Sequence, residues 1–288
     1  MNDDVLPEPL DLQHKQRITT VFETIASGYD NPAMRFFAFA AGRAVSVLKP
    51  APGDTVLDIA TGTGAVANEC AQAVLPGGQV LAIDLSEAML TEARKKTNKL
   101  GLTNIEFINM DAERLDFSDH YFDHCVCSFG LFFIPDMASA LRQWKRVVKP
   151  GGTVLFTSFS DLAFSPMSKL FIEQLKSYGV QLNEPPLSSH RLTDPQVCQK
   201  LLQDIELESI KIDKFQVGYH LPCVDDWWSV VWNSGMRGML QKLPEYFRDE
   251  FKAGHLKSVE DLVGENGLWL DVEIIISQGK VPRSNSVN

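Results

Sequence analysis

In LDIATGTGAVANE, Leu57 to Glu69, two glycines, Gly62 and Gly64, follow an apolar run, and an acid, Asp58, stands four positions before the first. Glycines at this spacing let a backbone pass close to a ligand, and Ala67 completes the G-x-G-x-x-A variant of a dinucleotide fingerprint. Asp84 follows about 20 residues on, where that fingerprint carries the acid for a ribose. A pyrophosphate next to Asp58 would be repelled by roughly 1 to 4 kcal/mol at about 4 Å, depending on local dielectric, whereas a cationic amino-acid ligand would gain.

S-adenosylmethionine is a ligand of the second kind: it carries an ammonium and a sulfonium, has no phosphate, and needs a backbone that can approach its side chain closely. Asp84, in AIDLS, is placed to accept both ribose hydroxyls, and Asp111, in NMDAE, to take the adenine amino group. Charge-assisted hydrogen bonds of this type contribute ~1.5 to 3 kcal/mol each. Three acids at successive strand ends then serve one ligand.

The elements that must position these residues follow from the hydrophobic pattern. From Thr55 the chain alternates: strand TVLDIA, a helix from Gly64 to Val74, strand QVLAID, a helix from Ser86 to Lys99, strand IEFINM, strand FDHCVCSF, a helix from Asp136 to Val148, and strand TVLFTSF. Strands alternating with helices of this length predict βαβ units. Right-handed crossovers wind them into a doubly wound, mainly parallel α/β sheet, with the ligand at the strands' carboxyl ends. Ser86 and Asp136 can cap their helices, and Thr193 with Gln196 has capping-box spacing before a further helix.

Four divisions result: an N-terminal helical segment over 1–48, a cofactor-binding core over 49–160, lid helices and the last strands over 161–279, and a tail over 280–288. Residues 1–12 read as a leader, followed by two helices broken at Asn31-Pro32; ELESIKIDKFQVGYHL and WLDVEIIIS read as one strand each.

Composition narrows the function classes. The 288 residues, 44% apolar and 22% charged, suit one globular domain. A net charge of -10 and no basic run longer than two residues argue against a nucleic-acid partner. Five cysteines without a CxxC pair indicate neither a disulfide framework nor a metal site. The acidic, Pro-rich start and the lack of a long apolar run predict a cytoplasmic chain without stable membrane insertion.

DIATGTG, AIDLSEAML, NMDAERLDF, SFGLFFIPD and RVVKPGGTVLF, in this order and spacing, resemble the motifs of class I S-adenosylmethionine-dependent methyltransferases. VFETIASGYD before them makes the chain most similar to the ubiquinone/menaquinone-biosynthesis group and its small-molecule relatives; the resemblance covers about residues 20–160. It implies a seven-stranded Rossmann-like fold, methyl transfer, and S-adenosylmethionine as cofactor. The implied contacts are Asp58, Ala60, Gly62 and Gly64 to the methionine moiety, Asp84 to the ribose, Leu85 and Met89 flanking the adenine, and Asp111 and Ala112 at its edge. Ser128 and Phe129 would close the site near the methyl group, with Tyr29 reaching over. Many relatives carry a polar residue or His after the fourth strand, where this chain has Phe132 and Phe133.

Residues 163–178 and 224–264 are expected to form the lid. Trp228 and Trp232 fall on one helical face and, with Phe132, Phe133 and Tyr219, suggest a pocket for a small aromatic or cyclic acceptor. An acceptor that must lose a proton would use a base, for which His190 and His220 are the candidates. SFGLFF stands where a nucleic-acid base methyltransferase carries (D/N)PP(Y/F). An NAD(P)-dependent oxidoreductase and a non-catalytic S-adenosylmethionine-binding module are the alternatives.

Overall fold

A computed structural model describes residues 9–182 and 187–283. The expected leader lies outside them up to residue 8, but the first helix, α1 (Pro9–Ile25), starts earlier than residue 13. Asn31 ends the N-terminal turns as expected: its side chain accepts from the Ala33 N–H and opens the 3₁₀ turn Pro32–Met34, ahead of α2 (Phe36–Leu48).

The alternation then runs in the expected order: β1 (Thr55–Ile59), α3 (Ala65–Ala73), β2 (Gln79–Asp84), α4 (Glu87–Leu100), β3 (Ile105–Asn109), β4 (Phe122–Ser128), α5 (Met137–Val147) and β5 (Val148–Phe159), the last starting five residues before the expected TVLFTSF. Ser86 and Asp136 cap α4 and α5, accepting from the Met89 and Ser139 N–H groups. After β5 come α6 (Met167–Ser177), α7 (Pro195–Asp204), β6 (Glu208–Gln216), β7 (Tyr219–Leu221), α8 (Val224–Trp232), α9 (Met236–Leu240), α10 (Arg248–Glu260), β8 (Val263–Gly264), β9 (Gly267–Leu270) and β10 (Glu273–Lys280). Asp194, not Thr193, caps α7: its carboxylate, at the position just before Pro195 opens the helix, accepts from the Gln196 N–H.

The main sheet has seven strands in the order β3-β2-β1-β4-β5-β10-β6. β1 to β5 pair in parallel, and β10 runs antiparallel to both β5 and β6. Val56, Leu57, Ile59, Val126 and Leu155 are wholly buried, as strands covered by helices on both faces must be.

Both long C-terminal strands are broken. At Gly218 a Cβ would stand 2.4 Å from the Leu270 carbonyl oxygen, and the Gln216 side-chain oxygen accepts from the N–H groups of Gly218 and Val272. The chain leaves the main sheet there and forms a second one, β7-β9-β8.

The helices expected as the lid pack into a layer of their own, with the stretch 224–264 divided into α8, α9, α10 and β8 rather than running as one helical segment. Phe171 of α6 meets Phe251 of α10 edge-on, and Trp227 of α8 donates its indole N–H to His255 Nε2 at 2.8 Å. That bond leaves the proton of neutral His255 on Nδ1, which is buried without a partner. Burial pushes the ring's pKa down to about 4. The unfolded chain takes up a proton below about pH 6.5 while the folded chain resists, so the stability present above that pH is lost as pH falls toward 4. Asp58, buried in β1 and pushed up to about 7, contributes the opposite slope, so the readout is a difference. Between pH 7 and 5, urea unfolding of the wild type should lose roughly 2 kcal/mol relative to His255→Gln. Parallel pH profiles of the two proteins would refute this.

Candidate functional site

Three strand ends and one turn build a cleft of about 860 Å³. The turn after β1 runs through three left-handed residues: Ala60 (φ 53°), Gly62 (φ 55°) and Gly64 (φ 78°). Only glycine takes that conformation without strain, so Ala60 is held by its surroundings. Thr61 donates its N–H to the Ile83 carbonyl at 2.9 Å and its hydroxyl to Asp58 at 2.6 Å. Gly62 donates its N–H to Asp84 Oδ2 at 2.8 Å, and Asp84 Oδ1 accepts from Ser86 at 2.9 Å. Burial raises the pKa of the Asp84 carboxyl, and these backbone N–H bonds oppose the rise.

This geometry decides between the two ligands of the glycine turn. The Gly62 N–H, which a pyrophosphate would need, is already given to a carboxylate, so the turn offers a ligand acid rather than amide. The Asp84 carboxylate keeps lone pairs for the hydroxyls of a ribose, while a pyrophosphate would find the Gly62 N–H already engaged.

The cleft is walled by Asp84, Leu85, Ser86 and Met89 on one side, by Met110, Asp111, Ala112 and Glu113 on the next, and by Ser128, Phe129 and Gly130 on the third. Tyr29 also lines it, its hydroxyl held neutral because burial, then Asp84 and Asp30, push its pKa well up. His14, Lys15, Ile18 and Phe22 of α1 form the roof. Lys15 clasps Asp111 at 2.7 Å and also Glu113.

Two expected contacts lie behind the wall. Asp58 is 1% exposed: its carboxylate turns to the Thr61 hydroxyl and the Ala67 N–H, pinning the turn from below, with Oδ1 unpaired. Gly64 opens α3, and a Cβ there would stand 3.2 Å from Ala93, so its role is helix packing.

A second cavity of about 1280 Å³ adjoins the first. Phe36, Phe37, Phe132, Phe159 and Phe164 line it together with Val230, Met236 and Met239. Arg17 and Lys242 stand on its wall, and no acidic side chain does among the described residues. Six residues belong to both cavities: His14, Ile18, Phe22, Tyr29, Phe129 and Phe133.

Phe132 and Phe133 line this second cavity, while Tyr219, Trp228 and Trp232 do not. The Tyr219 hydroxyl donates to the Ala33 carbonyl and accepts from the Phe36 N–H, with Arg35 stacked 3.6 Å from its ring. Trp228 packs on Phe251, and Trp232 is 39% exposed beneath Arg237. His190 and His220 lie outside both cavities; His220 faces Trp269 across the small sheet. The α1 roof is the part that the sequence reading missed. Its signal was present in the spacing of His14, Ile18 and Phe22, four residues apart on one helical face.

Comparison with known proteins agrees with this geometry. The model of the ubiE/COQ5 methyltransferase family matches residues 11–182. The demethylmenaquinone methyltransferase of Bacillus cytotoxicus is 32% identical over 223 residues, covering 71% of this chain and 92% of that protein. Aklanonic acid methyltransferase DauC of a Streptomyces species is 36% identical over 148 residues, 51% of this chain and 67% of its own. Phosphoethanolamine N-methyltransferase 2 of Haemonchus contortus, solved with S-adenosyl-L-methionine, shares the fold with a TM-score of 0.55 at 16% identity, over 91% of this chain and 57% of that one. With a match over residues 11–182 of 288 and a relative aligned over nearly its whole length, the chain belongs to the ubiE/COQ5 methyltransferase family and is an S-adenosylmethionine-dependent methyltransferase.

Proposed function

We propose that this enzyme methylates a small, apolar ring acceptor held in the phenylalanine-lined cavity, with S-adenosylmethionine held in the acid-lined cleft. The observation that carries the reading is that six residues line both spaces, which sets a ligand in one beside a ligand in the other. The names of two relatives, acting on demethylmenaquinone and aklanonic acid, support a small-molecule acceptor. Free cysteines, four of them buried, suit a reducing compartment, and the reading includes a cytoplasmic location.

In this assignment Asp84 accepts the ribose hydroxyls, Leu85 and Met89 flank the adenine, and Asp111 and Ala112 meet its edge. Ala60 and Gly62 border the methionine moiety, and Ser128 and Phe129 close the space beside the methyl group. The cofactor supplies a methyl carbon already activated by its sulfonium, so no nucleophilic side chain is required. What the chain adds is alignment and exclusion of water, for which ~7 to 11 kcal/mol is available. The phenylalanines serve both ends, because an apolar wall excludes water and fixes a flat ring by its faces.

Calorimetric titration tests the cofactor half. S-adenosylhomocysteine should bind the wild type, about a hundredfold more weakly to Asp84→Ala, and NADH to neither. Unchanged affinity in the variant would remove Asp84 from the contact, and tight NADH binding would remove the cofactor assignment.

The acceptor half is tested by turnover of 1,4-naphthohydroquinone, followed as S-adenosylhomocysteine release. Phe132, which lines only the second cavity, is the position to vary. Phe132→Ala should raise the acceptor KM by about tenfold, on the order of 1.4 kcal/mol, and leave S-adenosylhomocysteine affinity within about twofold. No methylated ring product from the wild type would sink the ring-acceptor reading.

A further inference from the structure

A group that removes the acceptor's proton must line the acceptor cavity, and the place where the methyl group arrives is where that cavity meets the cofactor cleft. Of the six residues common to the two walls, only His14 and Tyr29 carry a side chain able to exchange a proton. Tyr29 is a phenol held neutral by burial, with nothing to accept a proton except its own hydroxyl oxygen. His14 remains.

The imidazole is fixed by a contact that determines its tautomer. His14 Nε2 lies 3.0 Å from the main-chain carbonyl oxygen of Phe133. A carbonyl only accepts, so Nε2 carries the hydrogen and, in the neutral ring, Nδ1 carries the lone pair. Phe133 is itself a residue of the common wall, so the bond anchors the ring where the two spaces meet.

We infer that His14 is the general base of this enzyme, taking the proton of a hydroxyl on the ring acceptor; the inference rests on the ring-acceptor reading above. Nδ1 takes the hydroxyl proton. The electron pair left on the acceptor forms the bond to the methyl carbon, the carbon–sulfur bond breaks, and its pair returns to sulfur. Where the pair is delivered through the ring to an adjacent carbon, that carbon's proton passes back to the oxygen, so one proton is released per methyl in either case. The Phe133 carbonyl keeps its hydrogen bond throughout and faces the ring when it is cationic.

The other charged groups around this point are engaged or face elsewhere. On α1, Lys15 is committed to Asp111 and Glu113 beyond β3, and Arg17 borders only the acceptor cavity. From β2, Asp84 accepts the Gly62 and Ser86 N–H groups and lines only the cofactor cleft; from the lid, Lys242 donates to the Gln181 carbonyl at 3.2 Å. His14 is therefore the one imidazole on either wall among the described residues.

His14→Gln is the informative variant, since its side-chain amide can still donate to the Phe133 carbonyl while no base remains. With 1,4-naphthohydroquinone as probe, kcat should fall about 10²- to 10⁴-fold and the acid limb of the kcat–pH profile should disappear. The KM for S-adenosylmethionine and the calorimetric affinity for S-adenosylhomocysteine should stay within about twofold. Independently of turnover, nitrogen NMR of the S-adenosylhomocysteine-bound protein, assigned with the same variant, should find neutral His14 protonated on Nε2. A kcat within a few fold of wild type, a loss carried by cofactor affinity, or a proton on Nδ1 would each overturn the role. Wild-type protein that binds S-adenosylhomocysteine yet methylates no ring hydroxyl would overturn the ring-acceptor reading and this inference with it. Turnover that survives in His14→Gln would overturn this inference alone.

Discussion

One carboxylate holds the catalytic end of the sheet together. Asp84, the last residue of β2, takes the Gly62 N–H from the turn after β1 and the Ser86 N–H from the start of α4. Two crossovers that leave neighbouring parallel strands are thereby tied to one side chain. The left-handed turn depends on it, because a backbone curled through Ala60, Gly62 and Gly64 exposes N–H groups that its own carbonyls cannot reach. Asp58 does the same from beneath, through Thr61. Asp58, behind the wall, is thus structural, and Asp84, which lines the cleft, is structural before it is functional.

Residues whose partners lie nearby in sequence, or are imposed by strand alternation, were legible. The succession of strands and helices from β1 to β5 along the chain, the glycine turn, the acids at the strand ends and the caps at Ser86 and Asp136 all follow from local spacing. The breaks at Gly218 and Asp271 were not, because a run such as WLDVEIIIS carries strand periodicity from end to end. What divides it is the Gln216 side chain, whose oxygen accepts from Val272 more than 50 residues away. The tryptophans misled for a related reason. Trp228 and Trp232 read as pocket lining by helical phase, but phase says which residues share a face, not what that face meets. Trp228 meets Phe251 and His255 of α10, and Trp232 lies beneath Arg237.

The acceptor cavity is the part least accessible to local reading. Its phenylalanines come from α1, the start of α2, the turn after β4, the end of β5 and the segment before α6. Each alone reads as a core residue, and Phe36, Phe129 and Phe159 are indeed buried. They stack on one another, Phe129 on Phe159 at 4.2 Å between centroids, so the wall is continuous with the core rather than applied to it. Rigidity there follows from packing at interior density, and it is what an alignment-driven reaction needs.

α1 joins the two halves of the site. Lys15 fixes it to the acids after β3, Ile18 and Phe22 roof both spaces, and Val21 packs over Gly238 of α9, where a Cβ would come within 3.2 Å. A helix held at one side by ion pairs and at the other by the lid cannot shift over one ligand without shifting over the other. Cofactor retention and acceptor fit are therefore set by the same few contacts. A residue placed on that helix at the junction, as His14 is, keeps its relation to both reactants whichever of them enters first.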